Sequence, residues 1–204
     1  MANEYVSRDE LKQTLEITSN VTYANEDIDA AVASASRALD DMCNRRFWKD
    51  ADAAQVRYYS PNTEWRLWPD DVIAVTSLKS DPGGDGTFED TWTLNTDYTR
   101  EPLNAATDSR PWTLLRAHPS GNFRFPTAYP RSVELTGQFG WPAVPPAIKQ
   151  ATTLLASRIL KRAREVPFGV IAVGIDVGST ISIARADPDV ELLIAPFKRT
   201  LNAF

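Results

Sequence analysis

The spacing of apolar residues changes twice along this 204-residue chain, and that change limits the fold more than any single motif. From Ser7 to about Asn44 apolar residues recur every three or four positions, the period of one helix face. From Ala54 to Phe139 they recur every second position, in short runs broken by Pro and Gly, the pattern of strands. From Pro146 the helical spacing returns. The chain is therefore predicted to be α+β: a small bundle of about four helices, an all-β insertion between helices 2 and 3, and a Gly-rich, β-like arm before the last helix. The boundaries read as a helical core of 1–50 and 142–204, which includes the arm at 167–184, and a β-rich insertion of 51–141.

The best-specified helix is Pro146–Glu165. Proline suits its first position, where an N–H would lack a partner. Ile148, Thr152, Leu155 and Ile159 form an apolar stripe, widened by Ala151 and Leu154. Lys161, Arg162 and Arg164 crowd its last turns, at the negative end of the helix dipole. Upstream, Ser7-Arg8-Asp9-Glu10 is a capping box that starts a helix of about ten residues with Leu11, Leu15 and Ile17 on its apolar face. Asn25 reads as the next cap, ahead of a stripe of Ile28, Ala31, Val32, Ala35, Leu39 and Met42. The alanines of this helix let a second helix approach closely, and 146–165 is the expected neighbour. Asp187 and Pro188 restart a helix with Val190, Leu193, Ile194 and Phe197 on its apolar side, ended near Ala195 by Pro196.

In the insertion, strands are expected at Val56–Ser60, Trp65–Trp68, Val72–Leu78, Trp92–Leu94, around Tyr98 and Pro102–Asn104, at Trp112–Leu115 and at Val133–Phe139. Asp81–Gly86 is a turn.

Each chemical motif has a plainer competitor. Asp81, Asp85 and Gly86 match three positions of a calcium loop, but Gly83 and Trp92 stand where a second carboxylate and the bidentate Glu belong, so a hairpin turn fits better. His118 is the single histidine and Cys43 the single cysteine, too few for a zinc site or a legible nucleophile–base pair. Cys43 reads as a small buried apolar residue. Gly169, Gly174 and Gly178 fit no phosphate-loop spacing. No catalytic, cofactor-binding or metal site is assigned, and the chain is not expected to be an enzyme. Trp65 and Trp68 invite a carbohydrate platform, against which stands core packing of the β insertion.

Two groups of residues remain as candidate contacts. Arg45, Arg46, Lys161, Arg162 and Arg164 are basic contacts for DNA or an acidic partner; for the first two, the competing reading is a helix end whose cations satisfy carbonyls. Phe168, Gly169, Val170, Ile171, Val173, Gly174, Ile175, Val177 and Gly178 make an apolar, β-branched, glycine-punctuated arm that needs a partner surface, met by adding to a neighbour's sheet. The net charge of −5 argues against general nucleic-acid binding and suits a surface that lets DNA slide past. The N-terminus lacks the apolar core of a signal peptide, and no run approaches the roughly 18 apolar residues of a membrane span.

Several segments together carry a resemblance: Tyr5–Lys12, the Ala-rich helix ending in Met42-Cys43-Asn44-Arg45-Arg46-Phe47, the Asp81–Glu89 turn, Gly137–Trp141, Pro146–Arg158, Glu165–Val170 and Ser182–Phe197. In these the chain resembles the head–tail connector (adaptor, or head-completion) proteins of long-tailed double-stranded DNA phages, particularly actinobacterial ones. The resemblance implies a helical bundle assembled as a homo-oligomeric, twelve-fold ring under the portal, extending the DNA channel and joining head to tail. It implies as partners the portal protein, the next connector or tail protein, and DNA passing through without sequence-specific binding. It places the protein in the virion, after assembly in the host cytoplasm. The alternative class is a carbohydrate or host-surface binding module built on the aromatic-rich insertion.

Overall fold

The computed structural model describes residues 3–16, 23–165 and 188–199, without the side chains of 163–165. The protein is α+β. It divides into two compact units, one of Met1–Arg45 with Val144–Leu201, the other containing Arg46–Ala143.

The first unit is helical. Helix α1 (Arg8–Thr14) starts at the expected capping box: Glu10 N donates to Ser7 Oγ at 3.2 Å, and Ser7 N donates to Glu10 Oε2 at 2.7 Å. It is shorter than expected because Glu16, at φ 53°, turns left-handed; Ile17 lies outside the described residues. Helix α2 (Asn25–Cys43) begins one residue earlier than its sequence suggests. Ala24 is the extended cap residue and gives no side-chain bond, while Asn25 Oδ1 instead accepts from Lys12 Nζ at 2.6 Å, tying α2 to α1. Asn44, left-handed at φ 53°, ends α2. Helix α3 spans Pro146–Glu165. Helix α4 (Pro188–Ile194) gives way to a 3-10 turn (Ala195–Phe197) at Pro196, and the expected cap Asp187 is outside the described residues.

Helix α2 packs on α3, as its alanines suggest. The shared core holds Val6, Leu11, Ile28, Ala31, Val32, Ala35, Ala156 and Leu160. The stripe of α3 is rotated from the expected one. Ile148, Ala151, Thr152, Ala156 and Leu160 are buried, whereas Leu154, Leu155 and Ile159 are only half-buried. The buried row 148–152–156–160 carries the small Thr152 and Ala156 between Ile148 and Leu160, and Ala156 and Leu160 share the core with Ala31 and Ala35 of α2. The buried Thr152 hydroxyl is satisfied by donating to Ile148 O at 2.8 Å. Ser36, also buried, donates to Val32 O at 2.8 Å and accepts from Tyr5 N at 3.2 Å.

The second unit holds two antiparallel sheets. One runs β1 (Gln55–Tyr59), β7 (Val133–Phe139), β3 (Val72–Ser80), β4 (Asp90–Thr91) in that order; the other runs β2 (Arg66–Leu67), β6 (Leu114–Ala117), β5 (Tyr98–Glu101). Trp112 precedes β6 and bridges to Val72 through N–H···O bonds of 2.8 and 3.0 Å, joining the sheets by main chain. Three expected strands shift. Trp92–Leu94 follows β4, because Trp92 is drawn into the core; Trp112 stands before its strand; and Pro102–Asn104 forms turn, not strand.

Strand β7 alternates without a break, with Val133, Leu135, Gly137 and Phe139 inward. At Gly137 a Cβ would lie 2.1 Å from Ala74 O, where β3 bulges against β7. The core cluster takes Leu67, Leu115, Tyr98 and Ala117 from one sheet and Val72, Leu78, Leu135 and Phe139 from the other, around Trp92 and Phe125. These two rings stack at 4.4 Å and 12°, and Trp92 Nε1 donates to Ser80 Oγ at 2.8 Å.

Candidate interaction surfaces

Residues weighed for chemistry are taken up by structure. Asp81, buried at the end of β3, accepts from Gly84 N at 2.6 Å and from Gly86 N at 2.8 Å. Asp85 accepts from Thr87 N at 2.8 Å, and this main-chain N–H is the first cause holding its carboxyl below the usual value. The two carboxylates thus fasten a hairpin loop, and Gly84 and Gly86 take the positive φ it requires. His118 Nδ1 accepts from Ser120 N at 3.2 Å in the turn after β6. Cys43 is fully buried, and desolvation pushes its thiol up to about 11, the direction of an inert thiol. No group of three or more His, Cys, Asp or Glu placed to hold a metal occurs among the described residues. No helix among them is long and apolar enough to cross a membrane.

The basic candidates fall at separate places. Arg45, half-buried, donates to Phe197 O at 3.3 Å, so it serves the C-terminal turn of the helical unit. Arg46 lies over the Trp48 ring at 5.3 Å in the β unit. Lys161 and Arg162 are exposed on the last turns of α3. The side chain of Arg164 and the whole arm candidate from Phe168 to Gly178 lie outside the described residues.

The tryptophans divide. Trp92 and Trp141 are core, and Trp141 Nε1 donates to Asp71 Oδ2 at 2.9 Å. Trp65 is exposed, contrary to core packing. One face of its ring is covered by the Arg124 guanidinium at 4.2 Å, which is itself held by the carbonyls of Pro119, Gly121 and Phe123. A sugar ring would find that face occupied.

One surface escapes sequence reading. On β1, Val56 and Tyr58 are 46% and 41% exposed, while the intervening Arg57 turns inward. Arg57 pairs with Asp50 and Asp70, each at 2.7 Å, and its guanidinium lies 3.9 Å over the Phe139 ring. Tyr59 Oη donates to Asp70 at 3.1 Å; burial first, then the Asp70 charge, raises its hydroxyl pKa. So the charged side chain of β1 faces its own unit and the apolar ones face out. The Tyr58 ring is fixed by Phe88 at 5.7 Å and by the Arg131 guanidinium at 4.0 Å. The signal in the sequence was the pair Tyr58-Tyr59: apolar residues in both phases of one strand.

No family model matches the sequence, and no curated protein matches it. Several solved structures are similar, among them three chains of gene transfer agent particles. A chain in the neck of an empty GTA particle computed with C6 symmetry is 16% identical, with 98% of this chain and 93% of that chain covered at a TM-score of 0.56. A chain from the virion of a native gene transfer agent (GTA) particle is 19% identical over 98% and 93%, TM-score 0.49. One from the neck of a native GTA particle computed with C12 symmetry is 18% identical over 100% and 98%, TM-score 0.46. The first likeness establishes a shared fold along nearly the whole chain.

Proposed function

We propose that the protein is a structural virion component of the neck, forming a homo-oligomeric ring between portal and tail that extends the DNA channel and joins head to tail. The observation that carries this is the shared fold over 98% of the chain with a component of a particle neck computed with C6 symmetry. A twelve-fold ring contains that symmetry. A closed ring of one chain uses two different complementary faces per subunit, held head to tail. The portal on one side and the next connector or tail protein on the other are the partners of this reading. The exposed Lys161 and Arg162, with Arg164, meet an acidic partner or the phosphates of passing DNA, without reading its sequence. The net charge of −5 limits adhesion of that DNA elsewhere.

The test mixes the purified chain with a portal protein from the same particle and images the mixture by negative stain. Rings stacked coaxially on the portal are expected. Portals that stay bare, with tails still joining heads when the gene is deleted, would overturn the reading.

A further inference from the structure

Strand β1 is the longest edge strand among the described sheets, and its one charged residue, Arg57, is paired with Asp50 and Asp70. Of the four edge strands, β2 and β4 have two residues each, and β5 ends in Arg100 and Glu101. Short or charged edges resist pairing with another chain. Strand β1 has five residues, pairs with β7 on one side, and turns Arg57 away from the surface that bears Val56 and Tyr58. Beside these two, the outward residues of β7 are Glu134, Thr136 and Gln138. The exposed apolar surface therefore sits at the sheet edge and not at the middle of its face. That distribution suits an added strand better than a second sheet laid across it.

The chain contains a segment with the matching pattern. Ile171, Val173, Ile175 and Val177 alternate strictly with Ala172, Gly174, Asp176 and Gly178. Such a period-two run makes one β-branched face and one face of small or polar residues. Seven residues, 171–177, span about 23 Å extended, against about 17 Å for the five of β1. Five residues separate Glu165, the end of α3, from Ile171, six Cα-to-Cα steps with a reach of about 20 Å, and a longer stretch returns to Pro188.

We propose that residues 171–177 of one copy add as a strand to the open edge of β1 in a neighbouring copy, so that the β-branched face continues the Val56–Tyr58 surface. This rests on the ring reading, and it supplies the two unlike faces that a head-to-tail ring needs: a donated strand and an accepting edge.

Disulfide trapping in the full-length chain tests it, in a Cys43→Ala background that removes the one native thiol. Tyr58→Cys is combined in turn with a cysteine at each position from 171 to 177, and oligomer mass is measured on the same samples. Paired strands lie about 4.8 Å apart, within disulfide reach only for side chains on one face. The expected result is a ladder of crosslinked multimers from Ile171→Cys, Val173→Cys, Ile175→Cys or Val177→Cys, and none from the even positions. Four outcomes overturn the proposal: crosslinks confined within one chain, crosslinks independent of phase, dimers from Tyr58→Cys alone, or no crosslinks. The mass separates the two readings. Oligomers without the alternating ladder sink only the strand exchange, and monomers at every concentration, with or without portal, sink the ring as well.

Discussion

In the helical unit the core is closed by small residues: Ala31 and Ala35 on α2 meet Ala156 on α3, with Ile28, Val32 and Leu160 around them. In the β unit the core is closed by rings: Trp92 stacked on Phe125, Tyr98 at its edge and Phe139 on β7. Helices packed through small residues are held by many small contacts and tolerate no added volume. Sheets some 10 Å apart need large side chains to fill the space and tolerate no lost volume. The two units should therefore fail to opposite kinds of substitution. All six tryptophans lie between Trp48 and Trp141, so indole fluorescence reports the β unit, and ellipticity at 222 nm reports chiefly the helices.

The largest effect is expected from Phe125→Ala. Its ring is fully buried and loses both the Trp92 stack and its filling of the core. A loss of about 3–5 kcal/mol follows for truncating a buried aromatic. The fluorescence midpoint in urea measures it; a shift under about 1 kcal/mol would mean that the core collapses around the gap and that rings are not what hold this unit open. Ala35→Leu is the converse. At full burial on α2 it forces side chains off their rotamers, at a cost of about 1–3 kcal/mol seen at 222 nm. A variant as stable as the parent would show slack between α2 and α3, and the contrast between the units would fail.

How much of each unit was legible follows from the range of its interactions. The capping box at Ser7 and the proline start of α3 lie within one turn of chain, and both were readable. The cap assigned to Asn25 was not, since its side chain serves Lys12, a partner thirteen residues away. The α3 stripe was set too far toward its large residues, because hydrophobicity marks Leu155 and Ile159 while helix approach selects Ala156. In the β unit the alternation gave the strands, but nothing local orders them β1-β7-β3-β4 across the chain. Arg57 shows the limit most clearly. A charged residue between Val56 and Tyr58 reads as the solvent side of a strand, and only Asp50 and Asp70, brought in by the fold, make the inward side the favourable one.

The smallest expected effect sharpens the comparison at the start of α1. Glu10 accepts from Ser7 N, and that bond, then the Ser7 hydroxyl and the Lys149 charge 3.6 Å away, hold its carboxyl below the usual value. A lowered carboxyl in the folded chain stabilises it above the ordinary carboxylate range, and the contribution disappears as pH falls through the folded value. Glu10 and Lys149 are about half exposed, so water screens the pair. Glu10→Gln keeps an acceptor for Ser7 N and removes the charge. At pH 7 it should cost about 0.5 kcal/mol at 222 nm. The gap to the parent should close as pH falls through the folded value, below the ordinary carboxylate range, where the parent's Glu10 takes up its proton. A gap that persists unchanged in acid would mean that shape and not charge makes Glu10 useful, and that the helical unit, like the β unit, is held by packing down to its first turn.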